Sequence, residues 1–219
     1  MKRFSNYGEV KANEFDNYEK LELGGHICKI LKVRIDTYKG EAGTFENLVL
    51  EFDLAEGDKQ AGFYARRFQQ DANKDALNAK WKGTYRIGIP KDDGSEKDEQ
   101  SKVRFKTFIT CIEKSNPGYD WEKADWDETT LVGKKFVGVF GLEEFESTMT
   151  GEILTATKCK FTRSTEGKIE DIAIPKVKLI DGSFIEYEDW LKRNEEKENK
   201  QIEHATTNAV ADNNDDLPF

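Results

Sequence analysis

The sequence predicts a mainly β protein with one or two helices, built as a small barrel of about five strands. Three observations support this class. Several segments have the two-residue apolar alternation of strands, one segment has helical spacing, and apolar residues become sparse after residue 186. At 219 residues the chain is long enough for one main core and an appended segment.

The first two predicted strands form a hairpin. Residues 23–36 alternate apolar side chains with cations, and residues 45–55 alternate apolar side chains with acids. A glycine-containing turn over residues 39–43 separates the two segments. The residues expected on the buried side are Ile27, Leu31, Val33 and Ile35 in the first strand and Leu48, Leu50, Phe52 and Leu54 in the second.

The middle of the chain predicts a surface loop followed by an amphipathic helix. Residues 63–68 are dense in aromatic and cationic side chains, and residues 69–80 are polar and compatible with a helix. Residues 90–100 read as the loop, and Ser101 as the start of the amphipathic helix. Asn116, Pro117 and Gly118 predict its end. Its apolar stripe consists of Phe105, Phe108, Ile109 and Ile112.

Three later segments, 131–140, 152–161 and 169–180, supply further strand-like runs. Gly133, Gly138 and Gly141 predict bends, bulges or close backbone approaches there. Residues 187–203 are compatible with a polar helix. Residues 205–216 are small, polar and acidic, which predicts disorder because nothing in them can be buried.

Charge is distributed unevenly along the chain. The formal net charge is −9, which by itself disfavours a polyanionic partner. Residues 1–180, however, hold 30 Lys and Arg against 32 Asp and Glu, whereas residues 181–219 hold 4 against 11. The body is therefore close to neutral, and most of the excess acid lies in the last fifth.

Cysteine usage and hydropathy predict a protein of the reducing cytoplasm with no membrane partner. Cys28, Cys111 and Cys159 are odd in number and never form a Cys-x-x-Cys pair, so buried free thiols are expected rather than disulfides or a zinc site. No apolar run of about 18 residues exists, and the first residues lack the apolar core of an export signal.

The last residues carry the most specific signal. Asp215, Asp216, Leu217, Pro218 and Phe219 place an apolar anchor beside carboxylates on an acidic tether. Phe219 suits an apolar pocket, and the acids suit Lys or Arg around that pocket. This tip resembles the end of bacterial single-stranded DNA-binding proteins, which closes with Asp-Asp, an aliphatic residue, Pro and Phe.

The resemblance covers only the last five to eight residues. It implies an OB-fold, a five-stranded barrel that binds single strands, and a tip that docks replication, recombination and repair proteins. We then expect residues 1–186 to form an OB-fold-like domain with an inserted lobe at about 69–130, and residues 187–219 to form the polar helix and tail. The body lacks a Gln- and Gly-rich linker, and it looks more like the single-strand binders of phages and mobile elements.

A single-strand binder needs cations along the backbone path and aromatic faces for the bases. The strongest local cluster spans residues 63–68 and 81–86, and further candidates lie on the first strand and on a later one. The candidate DNA-binding residues are Lys29, Lys32, Arg34, Tyr38, Phe63, Tyr64, Arg66, Arg67, Phe68, Trp81, Lys82, Tyr85, Arg86, Lys158, Lys160, Phe161 and Arg163.

Two other functions remain open at this stage. An adaptor could use the tail to engage replication proteins without holding DNA, since the body is nearly neutral. A metal-dependent nuclease could use Asp120, Asp125, Asp127 and Glu128, although a solvated loop explains them better. The sequence contains no phosphate-binding loop, nucleophile elbow or His pair at ligand spacing, so we expect no catalysis, cofactor or metal. It leaves homo-oligomerisation open.

Overall fold

The structure is a computed structural model that describes residues 19–40 and 43–196. The acidic segment 205–216, the tip Asp215–Phe219 and the last part of the expected helix over 187–203 lie outside the described residues. The predictions made for them therefore stay predictions.

The described chain contains seven strands, three α-helices and two short 3₁₀ helices. Strand and helix alternate only in the middle of the chain, between the second and fourth strands. The elements are β1 (Gly24–Gly40), β2 (Gly43–Leu54), α1 (Phe63–Lys74), β3 (Thr84–Gly88), α2 (Glu96–Ser115), a 3₁₀ turn (Glu128–Leu131), β4 (Lys135–Glu146), β5 (Ile153–Arg163), a second 3₁₀ turn (Ile169–Asp171), β6 (Val177–Lys178), β7 (Phe184–Ile185) and α3 (187–196).

All seven strands belong to one sheet, which confirms the prediction of a mainly β protein. The described chain has three α-helices where one or two were predicted, and seven strands where about five were predicted. The hydrogen-bonded order is β3-β2-β1-β4-β6-β7, and β5 also pairs with β4. Every pairing is antiparallel except that of β4 with β6, where Glu143 lies opposite Lys178. The sheet is not closed, because β3 and β5 each have a free edge within the described part of the chain.

A β-bulge in β1 changes which of its side chains reach the core. The register with β2 shifts between Ile30 and Lys32, so Leu31 has no partner. Cys28 and Ile30 are buried before the bulge, whereas Leu31 is 45% exposed. The alternation predicted for β1 was therefore wrong at Ile27 and Leu31, because the extra residue moves the inward face from even to odd positions. It was also wrong at Ile35, which lies outside the main core and is 44% exposed.

β2 follows its predicted pattern closely. Leu48, Leu50, Phe52 and Leu54 are all buried and belong to the main core. Phe52 lies at the centre of that core, with edge-on contacts to Tyr64 and Phe136 at centroid distances of 5.5 Å.

Helix α2 begins earlier than predicted. Ser95 is its N-cap, and the Ser95 hydroxyl accepts a hydrogen bond from the Asp98 backbone N–H at 3.2 Å. Acidic residues in the first turn favour this start through the helix dipole. The helix ends at Ser115 with Asn116 as C-cap, and Phe108, Ile109 and Ile112 are buried, as predicted.

Residues 69–130 contribute to the same core and do not form a separate lobe. β3 pairs with β2 over five residues, and α2 supplies three buried side chains to the main cluster. Helix α1 is anchored by Asp53, whose buried carboxylate accepts hydrogen bonds from the backbone N–H groups of Tyr64 and Ala65 at 2.8 and 3.0 Å. In this part of the chain, β3 therefore extends the sheet and α2 packs against the core.

Glycines in β4 mark close approaches, as the sequence predicted. A Cβ at Gly138 would lie 3.0 Å from the Cys28 sulfur, and one at Gly141 would lie 3.0 Å from Pro175.

The three cysteines are free thiols, with Cys28 and Cys111 buried. Of the later segments, 131–140 becomes a strand only from Lys135, and 169–180 retains only the two residues of β6.

Candidate nucleic-acid interface

The free edges of β3 and β5 face each other across a cleft of about 390 Å³, which we call the β3–β5 cleft. Tyr64 and Tyr85 line it from the core side. From the β3 and β5 sides it is lined by Lys82, Thr84, Arg86, Thr157, Lys158 and Lys160. The missing strand pairing thus leaves an opening in the sheet that is rich in cations.

The cleft contains four cations and, among the described residues that line it, one carboxylate, that of Glu143. Lys82 pairs with Asp71 at 2.6 Å, and Lys160 pairs with Glu143 at 3.0 Å. Burial raises the pKa of Glu143, but hydrogen bonds from Lys178 and Lys160 outweigh that effect and lower it to about 2. Glu143 is therefore an anion at neutral pH, and the cleft carries excess positive charge.

Arg86 connects the cleft to the face of the sheet opposite the main core. Val49 is the cross-strand partner of both Arg34 in β1 and Arg86 in β3, so the two arginines lie on the same face. Arg34 is held by Glu51 at 2.6 Å and by Asp36 at 2.9 Å. Arg86 is exposed and has no ion-pair partner within residues 19–40 and 43–196, which leaves its guanidinium available for an anion.

Two aromatic residues lie on that same face at the far end of the β1–β2 hairpin. Tyr38 and Phe45 are direct cross-strand partners, 42% and 40% exposed. The Asn47 side chain donates a hydrogen bond to the Tyr38 hydroxyl, and the Lys91 ammonium lies 3.8 Å from the Phe45 ring centroid. The pair forms a small aromatic platform with a cation beside it.

The opposing β4–β5 hairpin also exposes apolar side chains. Phe145 and Leu154 are cross-strand partners and are 40% and 43% exposed. Ile153 and Met149 are exposed nearby, at 53% and 93%. None of these four was expected as a contact residue, since an apolar strand residue in a sequence normally indicates core.

Residues 63–68, the strongest sequence cluster, serve mainly to build the core. Phe63 and Tyr64 are buried at the start of α1, so their rings cannot stack on a base. Arg66 is held by Glu19 at 2.8 Å, and Arg67 pairs with Asp71 at 3.6 Å. The cluster is therefore an aromatic-cation patch only in the sequence, because α1 turns Phe63 and Tyr64 inward and leaves Phe68 as its one partly exposed aromatic residue.

Trp81 and Phe68 form a partly exposed pair beside the cleft. The Trp81 indole N–H donates to the carbonyl oxygens of Phe52 and Gly83, both at 3.1 Å. The Phe68 ring is 38% exposed and lies 5.9 Å from the Trp81 ring. Hydrogen bonds to the backbone thus hold Trp81 in place, and the Phe68 ring is the more accessible of the two rings.

Of the remaining predicted residues, Tyr85 lines the cleft from the core side, and the others lie outside its lining. Lys29 is exposed opposite Asp53 and Lys135, and Lys32 is exposed just after the bulge. Phe161 is 37% exposed, with the Arg163 guanidinium 5.5 Å from its ring centroid. Tyr85 is half-buried against Phe108, and burial raises its pKa to about 12.

Sequence reasoning missed Glu143 and Lys178. Glu143 meets Lys158 and Lys160 because β4 pairs with β5, and Lys178 joins them only because β6 pairs in parallel with β4. A two-residue strand gives no alternation signal, so nothing in the sequence indicated that Lys178 lies beside Glu143.

Two of the four acidic residues proposed for a nuclease, Asp120 and Asp127, are engaged in local structure. The Asp120 carboxylate pairs with the Lys123 ammonium at 2.8 Å. The Asp127 carboxylate accepts from the Thr129 backbone N–H at 2.9 Å and caps the first 3₁₀ turn. Within the described residues, no group of three or more His, Cys, Asp or Glu side chains is arranged to hold a metal ion.

None of the helices in the described residues combines the length and apolar content needed to cross a membrane. No protein-family model matches the sequence, and no curated protein matches it. No relative therefore supplies a function by similarity.

Proposed function

We propose that this protein binds single-stranded DNA along one face of its sheet and into the β3–β5 cleft. The path runs from Tyr38 and Phe45 past Arg86 to Lys158 and Lys160, and we call it the strand path. The observation that carries the proposal is the cleft itself, in which four cations and one carboxylate meet at an open sheet edge.

The chemistry of the strand path suits a single strand. A single strand offers phosphates to cations and unpaired base faces to aromatic side chains, and base–aromatic stacking contributes roughly 1–3 kcal/mol per base. The path supplies both kinds of group, with the Tyr38–Phe45 platform at one end and the lysines of β5 at the other. A duplex hides its base faces, so we expect it to bind more weakly.

The strand order supports an OB-fold assignment, which is part of the proposal. Without the two short strands, the order is β3-β2-β1-β4-β5, and α2 lies between β3 and β4 in sequence. An OB-fold is a partly open five-stranded barrel that binds oligonucleotides on its second and third strands and on the loops after its first and fourth strands. In this protein Phe45 lies on the second strand and Arg86 on the third, and the two loops correspond to the ends of the β1–β2 and β4–β5 hairpins.

We also propose a division of labour between the sheet and the tail. The sheet holds DNA, without catalysis, and the tip formed by Asp215–Phe219 recruits replication, recombination or repair proteins. The body has a near-neutral charge, so binding depends on the local concentration of cations rather than on net charge. The proposal that the tip recruits other proteins is supported by its resemblance to the end of bacterial single-stranded DNA-binding proteins.

Titration of a fluorescent dT oligonucleotide of about 30 nucleotides, at two salt concentrations and with a matched duplex as control, tests the proposal. Salt-sensitive and strand-selective binding is expected, because displaced counterions set the salt dependence. Absence of binding at both salt concentrations would exclude strand binding and leave the adaptor function.

A further inference from the structure

Glu143 sits among three lysines that come from different parts of the chain. Its carboxylate lies 3.0 Å from the Lys160 ammonium, 3.0 Å from that of Lys178 and 3.6 Å from that of Lys158. Lys178 contacts one carboxylate oxygen, and Lys158 and Lys160 contact the other. Three cations therefore surround a single negative charge, which leaves a local excess of two positive charges.

Strand pairing fixes this arrangement. Glu143 lies opposite Ala156 in β5 on one side and opposite Lys178 in β6 on the other. The Lys160 side chain is only 17% exposed and that of Glu143 only 21% exposed. The shielding from water strengthens the Glu143–Lys160 pair relative to one on an open surface, whereas the Lys158 and Lys178 side chains are 57% and 42% exposed.

A carboxylate resembles a backbone phosphodiester as a partner for ammonium groups. Both carry one negative charge shared by two oxygens, and both accept charge-assisted hydrogen bonds. Glu143 is also the single carboxylate among the described residues lining a cleft that otherwise offers cations. A second anion entering the cleft would meet Lys158 and Lys160, which line it, and Lys178 lies next to them through its contact with the Glu143 carboxylate.

We propose that Lys158, Lys160 and Lys178 form a phosphate subsite of the strand path and that Glu143 occupies it when DNA is absent. This inference rests on the proposed function. The incoming phosphate takes over the lysine contacts, and Glu143 moves aside or shares them. Glu143 thereby keeps the lysines in place in the free protein and lowers the affinity for DNA.

Replacing Glu143 with Gln tests the subsite, because Gln keeps the shape and removes the competing charge. We expect Glu143→Gln to lower the Kd for dT oligonucleotide roughly threefold at low salt, and we expect this gain in affinity to shrink as salt screens the charges. Glu146→Gln is the matched control, since Glu146 is an exposed acid on the same strand. It removes the same charge outside the lysine cluster and should change the Kd much less.

Lys178→Gln provides a second test that does not depend on Glu143→Gln folding. It should raise the Kd, whereas Lys192→Gln, at a 72% exposed lysine of α3, should leave it unchanged. A thermal unfolding curve for each variant verifies that the fold is intact. In the double variant, Lys178→Gln should remove most of the gain produced by Glu143→Gln.

The outcomes separate this inference from the proposed function. If the wild-type protein binds the oligonucleotide but Glu143→Gln binds equally or more weakly, the subsite is wrong and strand binding stands. An equal gain in Glu146→Gln would assign the effect to net charge and would also overturn the subsite. If the wild-type protein does not bind at all, the proposed function fails and the subsite fails with it.

Discussion

Tyr38 and Phe45 are direct cross-strand partners at the end of the β1–β2 hairpin, on the face of the sheet that carries Arg86. Both rings are about two-fifths exposed, which is unusual for large side chains in a packed strand pair. Their position places an aromatic platform at the entrance of the strand path.

Replacing Tyr38 or Phe45 with Ala should weaken dT oligonucleotide binding by roughly 1–3 kcal/mol for each base that loses its stacking partner. Fluorescence anisotropy measures the change. Phe184→Ala is the control, because Phe184 is 60% exposed but lies in β7, at the other end of the sheet order. Equal losses in all three variants would argue against a platform at the hairpin.

Arg86→Ala should lower both the affinity and its salt dependence. Removing one phosphate contact reduces the slope of log Kobs against log salt by about 0.7 for a single strand. The measurement is a titration at four or five salt concentrations. Lys123→Ala is the control, at an 84% exposed lysine between α2 and β4. An unchanged slope in Arg86→Ala would show that Arg86 does not contact a phosphate.

Gly83→Ala should destabilise the fold next to the cleft. A Cβ at Gly83 would lie 2.2 Å from the Phe52 carbonyl oxygen, against backbone that cannot rotate away. Overpacking of this kind costs about 1–3 kcal/mol or more in the free energy of unfolding, which urea denaturation measures. In Gly167→Ala the added Cβ would meet no atom within 4 Å, so its stability should stay close to that of wild type.

Acid should remove the stabilising contribution of Glu143. Its pKa falls from an ordinary 4.5 to about 2 in the folded protein, so the contribution is complete above pH 4.5 and disappears as the pH falls towards 2. The difference in unfolding free energy between wild type and Glu143→Gln should therefore shrink over that interval. Urea denaturation at several pH values measures it, and a difference that stays constant with pH would contradict the ion pairs.

Deleting residues 217–219 should leave strand binding intact or slightly tighter, because it removes no cation or aromatic residue of the strand path and disables a tip beside carboxylates that compete with phosphate. The same titration measures it. The chain with Asp215→Asn and Asp216→Asn serves as a comparison that keeps the apolar anchor. Loss of strand binding on deletion would contradict the division of labour between the sheet and the tip.

The sequence predicted those parts of the fold in which side-chain periodicity reports burial directly. β2 and the apolar stripe of α2 are examples, since Phe52 and Ile112 lie in the core as the spacing indicated. The bulge at Leu31 could not be predicted, because Ile30 and Leu31 are both apolar and the sequence does not show which of them faces the core. The start of α2 was missed because its first turn is entirely polar.

The sequence predicted the cations of the candidate site but not which aromatic residues are exposed beside them. Lys82, Arg86, Lys158 and Lys160 were selected as cations near aromatic residues, and the structure brings them to one cleft. Phe63 and Tyr64 were selected by the same rule, yet they are buried because α1 begins at Phe63. Local sequence shows which residue types are close in the chain, whereas strand pairing decides which of them share a surface.

Photo-cross-linking of a dT oligonucleotide to the protein, followed by mass spectrometry of the linked peptides, tests the strand path most directly. Cross-links in peptides containing Tyr38 and Phe45, and in those spanning residues 84–86 and 157–161, are the predicted result. Cross-links confined to the exposed side of α2 or to residues 184–196 would contradict the strand path, even if the protein binds single-stranded DNA.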